Sequence, residues 1–159
     1  MKKIFSLGLI ALVLTCGFTS CDDDDDLPEV SIAVNFSDAT EINGVLYVVQ
    51  GETFEIESIT PVNLDDGKPV ELGGATYYWD YSPIGASMYK PFAFEIRVSP
   101  DTSVGRHSLQ IYCPVYAVDK APANAILSYT VEVVADEADL PDGGNTSVVT
   151  YPYLDDLDD

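Results

Sequence analysis

The sequence predicts an all-β protein, a single antiparallel β-sandwich of about seven strands over residues 28–135. Two observations lead to this prediction. Short runs in the region alternate apolar and polar side chains with a period of two, which is typical of strands that bury one face. Clusters rich in Pro and Gly separate the runs at regular spacing, as turns do in a sandwich. A region of this size is large enough for one hydrophobic core.

Each run places one set of side chains on a common face, which we expect to be buried. Successive side chains of a strand point to opposite faces of the sheet, so every second residue belongs to the core. Pro114 lies inside one run, and a proline within a strand indicates a sheet edge or a bulge. In chain order, the runs and their expected inward residues are 30–36 (Val30, Ile32, Val34, Phe36), 45–59 with a turn at Gly51 (Phe54, Ile56), 75–81 (Tyr77, Trp79, Tyr81), 91–99 (Phe92, Phe94, Ile96, Val98), 106–118 (Leu109, Ile111, Cys113) and 125–134 (Leu127, Tyr129, Val131, Val133).

Residues 1–20 have the layout of a secretory signal peptide. Lys2 and Lys3 form a short positive region, an apolar stretch follows at 4–14, and small residues lead to Ser20. The apolar stretch is too short to span a membrane as a stable helix.

The residues "FTSC" at 18–21 resemble a bacterial lipobox, the pattern read by lipoprotein signal peptidase. This resemblance implies that Cys21 is lipidated and anchors the protein to a membrane. Cys16, after "VLT", is the competing position, but Thr15 is a poorer residue than Ser20 before the cut. A soluble secreted protein with a free cysteine near its start is the other alternative.

Five consecutive aspartates follow Cys21, in a segment (21–27) that we interpret as an acidic tether. Like charges in a row repel and cannot pack, so the run is expected to be extended and solvated. It lacks the ligand spacing and the glycine of a calcium loop. The run resembles the acidic export signal of surface lipoproteins, which implies an outer-membrane, cell-surface location. An aspartate directly after the cysteine also retains enteric lipoproteins at the inner membrane, so a periplasmic orientation stays open.

Two later stretches carry a second resemblance. "YYWDY" at 77–81 and "GRHSLQIYCPVYAVD" at 105–119 resemble the characteristic strands of a polycystic-kidney-disease-type (PKD-like) immunoglobulin domain. The resemblance covers about residues 28–135, and it implies that Trp79 is the core tryptophan and Gly105 the turn before the late strand. The chain departs from the family pattern at "YSPIG" (81–85) and at His107.

The charge distribution excludes several classes of partner. The chain has a formal net charge of −20, and removing residues 1–20 with their two lysines makes it −22. So acidic a chain lacks the basic face that nucleic-acid binding needs, and anionic lipid would repel it. Residues 136–159 contain eight acids and no Lys or Arg, which predicts a flexible tail. Within this tail, 147–154 could instead form a short strand or a peptide that docks to a partner.

The sequence offers little for catalysis or for cofactor binding, so we predict that the protein is not an enzyme and needs no cofactor. His107 is the single histidine, and about 20 Å would separate it from Cys113 along one extended strand. We expect a structural role for His107 and a buried, hydrophobic role for Cys113. The acidic loops 63–67 and 99–103 are weak calcium candidates because they lack dense ligand spacing. Paired carboxylates of the glycosidase kind would need a cleft, and abundant acids alone do not indicate one.

The stretch 77–92 is the most suggestive one for binding, because it contains six aromatic residues. If the strand is regular, Tyr78 and Tyr89 are exposed and could stack on sugar rings, although tyrosines also simply suit strands. We therefore predict a non-catalytic surface lipoprotein that acts as an interaction or spacer module with a protein partner. A glycan-binding accessory lipoprotein of an outer-membrane polysaccharide uptake system is the alternative.

Overall fold

The structure is a computed structural model that describes residues 27–64 and 67–156. The predicted signal peptide, Cys21 and the aspartate run lie outside these ranges. Within them, none of the helical structure is long and apolar enough to cross a membrane. The described elements are β1 Val30–Ser37, β2 Thr40–Ile42, β3 Val45–Val49, β4 Thr53–Asn63, β5 Val70–Leu72, β6 Ala75–Trp79, β7 Ser82–Ser87, β8 Phe94–Arg97, β9 Gly105–Ala117, β10 Ala123–Val134, a 3-10 helix at Glu137–Asp139, β11 Ser147–Thr150 and β12 Tyr153–Asp156.

Two sheets form a sandwich around one core, as the alternating pattern predicts. The smaller sheet has the order β11-β1-β4-β8. The larger sheet has the order β2-β3-β10-β9-β6-β7, with β5 added beside β9 and β12 beside β10. The chain begins in the smaller sheet with β1 and changes to the larger sheet at β2 and β3, so its first segment contributes to both layers. This division of strands is that of an immunoglobulin-like sandwich.

The prediction of a sandwich is confirmed, and two of its details differ from the structure. The described residues form more strands than the predicted seven or so, because four short strands of three or four residues (β2, β5, β11 and β12) pair with the longer ones. The pairing is also not purely antiparallel, because β3 runs parallel to β10. Strands this short carry too little alternation to be recognised from the sequence alone.

The core contains nearly all of the side chains that the alternation places inward. Ile32, Val34 and Ile56 are fully buried, as are the inward residues of β9. Phe94 and Trp79 are only partly buried but pack against the core. Tyr81 is the exception: 76% of its surface is exposed, so its predicted inward orientation is wrong. The strand ends at Trp79, and Tyr81 lies in the turn that follows.

Pro114 lies in β9, which is an interior strand rather than an edge. Three residues lie between Leu72 and Thr76, whereas two lie between their partners on β9, Val115 and Tyr112. The extra residue falls beside Pro114, whose carbonyl accepts a hydrogen bond from the Gly73 N–H. In a strand, the N–H and the C=O of one residue point to the same side. The side of Pro114 that has no N–H to donate therefore also faces this irregularity. Of the two predicted alternatives, a sheet edge or a bulge, the structure therefore shows the bulge.

The structure corrects the prediction of a flexible acidic tail. β11 pairs with β1 in the smaller sheet, and β12 pairs with β10 in the larger one. The chain crosses from one sheet to the other between them, and Val148 and Leu154 pack against the core. The alternative prediction of a short added strand describes this segment better. Open strand edges attract pairing, and the C-terminal segment satisfies the edge of β1.

Candidate functional site

The outer face of the larger sheet carries a shallow depression of about 270 Å³ lined by Tyr78, Tyr81, Gln110, Tyr112 and Ile126, which we call the tyrosine platform. Its members come from adjacent strands because Tyr78 pairs with Gln110 and Tyr112 pairs with Ile126. Each strand member alternates with a buried neighbour, so all four point away from the core. Tyr81 stands at the rim, on the turn between β6 and β7.

The structure separates the two tyrosines that the sequence proposes as a stacking pair. Tyr78 is half-buried within the tyrosine platform. Tyr89 is 85% exposed, but it lies in the segment after β7, near the opposite end of the β6–β7 hairpin. Tyr81 and Tyr112 take its place beside Tyr78. The sequence-based prediction missed Tyr81 because it extended the strand of β6 as far as residue 81. It missed Tyr112 because it considered only the buried face of the long β9 run.

The turn that carries Tyr81 has an unusual backbone. Asp80 and Tyr81 both adopt left-handed conformations, with φ of +47° and +66°. Trp79 pairs with Ser82, so these two residues form the whole loop of the hairpin. Two-residue loops with positive φ at both positions favour Asn-Gly or Asp-Gly, because glycine has no side chain to clash. Aspartate tolerates this region, whereas a bulky tyrosine in it is an outlier.

Asp80 attaches this turn to β9 through a set of contacts that we call the Asp80–His107 cluster, formed by Asp80, His107, Ser103 and Trp79. One carboxylate oxygen of Asp80 lies 2.7 Å from His107 Nδ1, and the other accepts the Ser108 N–H at 2.8 Å. His107 Nε2 lies 2.8 Å from the Ser103 carbonyl oxygen and 3.3 Å from its hydroxyl. The Trp79 ring stacks on the imidazole, with centroids 5.3 Å apart.

The arrangement of Asp80, His107 and Ser103 looks superficially like a hydrolase triad, but its hydrogen bonds oppose that role. A triad histidine needs an unprotonated Nε2 facing the hydroxyl. Here Nε2 faces a carbonyl oxygen at the shorter distance, and Nδ1 faces a carboxylate, so both nitrogens are placed to donate. A ring that donates from both nitrogens is an imidazolium and cannot act as a base.

The pKa shifts agree with this geometry. Burial lowers the pKa of His107, but the hydrogen bonds to Asp80 and Ser103 and the charges of Asp80 and Glu132 outweigh burial and raise it above its ordinary value. Burial raises the pKa of Asp80, yet its hydrogen bonds with His107 and the Ser108 N–H bring it below the ordinary value. The two groups therefore favour a charged pair. No local sequence signal could have found this pair, because 27 positions separate its members.

Cys113 is fully buried in β9, as the sequence predicts for a small hydrophobic residue. Burial raises the pKa of its thiol to about 12, so the reactive thiolate is scarce at neutral pH. His107 lies on the same strand, but its ring is engaged with Asp80 and Ser103.

The sequence indicates two acidic loops, 63–67 and 99–103, as weak calcium candidates. Residues 65 and 66 of the first loop lie outside the described ranges. In the second loop, the Thr102 N–H donates to the Ser99 carbonyl and the Asp101 N–H donates to the Ser99 hydroxyl, which is ordinary turn bonding. No three His, Cys, Asp or Glu side chains come together as a metal site within residues 27–64 and 67–156.

A second depression, of about 300 Å³, opens beside the edge strands β7 and β8. Trp79, Ile84 and Ile96 contribute apolar surface there. The edge itself is short and carries the exposed charges of Glu95 and Arg97, a pattern that protects edges from pairing. The tyrosine platform differs from this depression in that three tyrosines line it.

Similarity to known proteins is found among solved structures. No protein-family model matches the chain, and no curated protein matches it. Among solved structures, the chain is similar to one described as fibronectin(III)-like modules of Clostridium thermocellum CbhA, with a TM-score of 0.39 and 15% sequence identity. The match covers 75% of this chain and 53% of the other, so this chain spans about half the length of the structure it matches. By its own strand order, the chain is an immunoglobulin-like β-sandwich module.

Proposed function

We propose that this chain is a non-catalytic, lipid-anchored surface protein that acts as an interaction or spacer module. The observation that carries the proposal is the tyrosine platform on the outer face of the larger sheet. Exposed aromatic side chains that form a concave surface are typical of contact sites, because they bury much area at little cost in side-chain entropy. The Asp80–His107 cluster supports a non-catalytic role, since its imidazole is engaged on both nitrogens.

The lipid anchor rests on the residues "FTSC" at 18–21. Two or more acyl chains hold a protein stably at a membrane, whereas one does not. We expect Cys21→Ser to lose radiolabelled palmitate and to move from the membrane fraction to the soluble fraction. Cys16→Ser is the matched control, and it should keep both the label and the membrane location. Loss of label in Cys16→Ser alone would place the anchor at Cys16 instead.

We also propose that the protein is displayed on the outer surface of the cell, because the aspartate run resembles an export signal. The test of this proposal is the replacement of the five aspartates at 22–26 by asparagine, which keeps side-chain size and removes the charge. Protease treatment of intact cells should digest the unaltered protein and spare the variant. Equal digestion of both proteins would contradict an export role for the run.

The contact function is tested by photo-crosslinking on intact cells. A photoreactive phenylalanine analogue at position 81 should capture a partner, whereas the same analogue at position 89 should not. Both positions are highly exposed tyrosines, so the comparison isolates the tyrosine platform from exposure alone. Capture at neither position would favour a spacer without a partner at this face.

A glycan-binding accessory lipoprotein of an outer-membrane polysaccharide uptake system is the second candidate. The grouping of Tyr78, Tyr81 and Tyr112 favours it, because aromatic rings stack on the apolar faces of sugars. A glycan array probed with the full chain separates the two candidates: binding to oligosaccharides favours the second, and a blank array with a crosslinked protein favours the first.

A further inference from the structure

Tyr81 has a conformation that folding alone does not explain. A left-handed backbone costs free energy for a residue with a Cβ, because the Cβ comes close to the following carbonyl oxygen. The side chain does not recover this cost through burial, since 76% of its surface is exposed. Glycine or asparagine at position 81 would form the same turn more easily. Strained residues that the surrounding structure holds in place are typical of functional sites.

The surroundings hold Tyr81 firmly in this conformation. Its neighbour Asp80 donates its N–H to the Ser108 carbonyl at 3.0 Å and accepts the Ser108 N–H at 2.8 Å. The same carboxylate bonds to His107, which the Trp79 ring covers. The turn is therefore fixed to β9 at a defined position, which places the Tyr81 backbone at the rim of the tyrosine platform.

We propose that the tyrosine platform binds an uncharged pyranose ring of a glycan, with Tyr81 as a wall that contacts the ligand directly. This inference rests on the second candidate function above and assigns its site and its ligand class. Tyr78 and Tyr112 are half-buried, so each presents part of a ring to the depression. The C–H groups of a pyranose favour such aromatic surfaces, while its hydroxyls need polar partners. Gln110 lies beside the tyrosines; its amide nitrogen donates to the Ser128 hydroxyl at 3.5 Å, and its amide oxygen can accept a hydrogen bond from a sugar hydroxyl.

The size and charge of the site narrow the ligand further. A depression of about 270 Å³ is large enough for one or two sugar rings. The chain has a net charge of −20, and the residues that line the tyrosine platform include no Lys or Arg. Uronic acids and sulfated sugars would therefore be repelled, whereas neutral hexopyranoses carry no such penalty. The negative charge of the chain therefore favours an uncharged glycan over an acidic one.

The first test uses the full chain, purified in detergent, on an array of neutral hexopyranose oligosaccharides and of uronic-acid oligosaccharides of the same length. We expect binding to neutral glycans and not to the acidic ones. Tyr81→Gly should lose this binding by at least tenfold while its melting temperature stays the same or rises, because glycine relieves the turn. Tyr89→Ala is the matched control, since Tyr89 is even more exposed and lies outside the tyrosine platform.

If Tyr81→Gly loses glycan binding while its melting temperature does not fall, Tyr81 contacts the ligand and does not stabilise the fold. A lower melting temperature in Tyr81→Gly would show that the ring stabilises the fold, and unchanged glycan binding would show that it does not touch the ligand; either result overturns the inference. Binding to the acidic glycans alone also overturns it. A blank array, with protein capture by the analogue at position 81, overturns the glycan site and leaves the interaction module standing.

Discussion

His107 stabilises the fold through its charge, at the scale of a single residue. Its side chain is 10% exposed, and it faces the Asp80 carboxylate on the β6–β7 turn, the Ser103 carbonyl in the preceding loop and the Trp79 ring on β6. Glu132 on β10 adds a negative charge, which it shares with Arg106, whose Nε lies 3.7 Å from its carboxylate. These groups together favour the imidazolium, so the pKa of His107 is higher in the folded chain than in the unfolded one.

This raised pKa predicts how stability depends on pH. A group with a raised folded-state pKa contributes stability that is fully present below its unfolded pKa and is lost as the pH rises through its folded pKa. The melting temperature should therefore fall as the pH rises above about 6.5, the ordinary pKa of histidine, because the folded-state pKa of His107 is higher than this. His107→Gln should remove most of this slope. An equal slope in the variant would mean that other groups cause it.

Residue-level prediction from the sequence succeeded where a strand stayed regular. Alternation placed Ile32, Ile56 and Ile111 in the core because each lies inside a strand with a single polar face. It failed at Tyr81, since the turn begins one residue earlier and no Gly or Asn marks it. The contact between Asp80 and His107 was also out of reach, because tertiary packing alone brings these distant residues together.

At the scale of elements, β11 shows how the C-terminal segment is attached. Val148 pairs with Val34 on the core side of the sheet, whereas Val149 pairs with Ala33 on the other side and is 60% exposed. Ser147 donates its hydroxyl to the Asn35 side chain at 2.6 Å, and Thr150 donates its hydroxyl to the Ile32 carbonyl at 3.2 Å. Hydrophobic contact and side-chain hydrogen bonds thus both fix the register of this short strand.

Two neighbouring valines provide a matched test of this attachment. Val148→Ser should lower the free energy of unfolding by about 1–2 kcal/mol, because a partly buried apolar side chain loses its packing. Val149→Ser should change it by less than about 0.5 kcal/mol, as is usual on an exposed face. Urea denaturation of both variants measures the difference. Similar small effects would indicate that β11 contributes little to folding.

The sequence could not have predicted this strand with the same certainty as the long ones. Residues 147–154 contain a short apolar run, but acidic residues and paired glycines surround it, and such composition is typical of a flexible segment. What decides the structure is the open edge of β1, which only the assembled sheet presents. In the same way, β12 pairs with β10, which is in place only in the assembled sheet.

At the scale of the whole molecule, net charge is the dominant electrostatic feature. A charge of −20 on 159 residues makes the compact state repel itself, and salt screens that repulsion. The screening length falls from about 30 Å at 0.01 M salt to about 10 Å at 0.1 M. The melting temperature should therefore rise by a few degrees when NaCl is increased over this range.

Calcium chloride at equal ionic strength is the control for this prediction. A rise in melting temperature equal to that with NaCl would mean that calcium chloride acts by screening alone. A clearly larger rise would indicate a specific calcium site. A melting temperature that does not respond to either salt would contradict the proposed role of self-repulsion.

The fold class was accessible from the sequence because it depends on a pattern repeated in many strands. Six alternating runs separated by turn residues leave an antiparallel sandwich as the natural arrangement, and one misread residue does not change it. The tyrosine platform depends instead on the register between β6, β9 and β10, which brings Tyr78 beside Gln110 and Tyr112 beside Ile126. A single sequence does not specify register, so the platform could be found only in the folded chain.

The position of β1 between two partners has a mechanical consequence. Eight residue pairs join β1 to β4, and four more join it to β11. A lipid anchor would pull on the chain just before β1, while a ligand held by the opposite sheet would resist. Tension along β1 then loads both hydrogen-bond ladders in shear. Many hydrogen bonds share the force, and they do not open one after another. Removing β11 would leave a single ladder, so we expect the intact module to withstand greater traction before it ruptures.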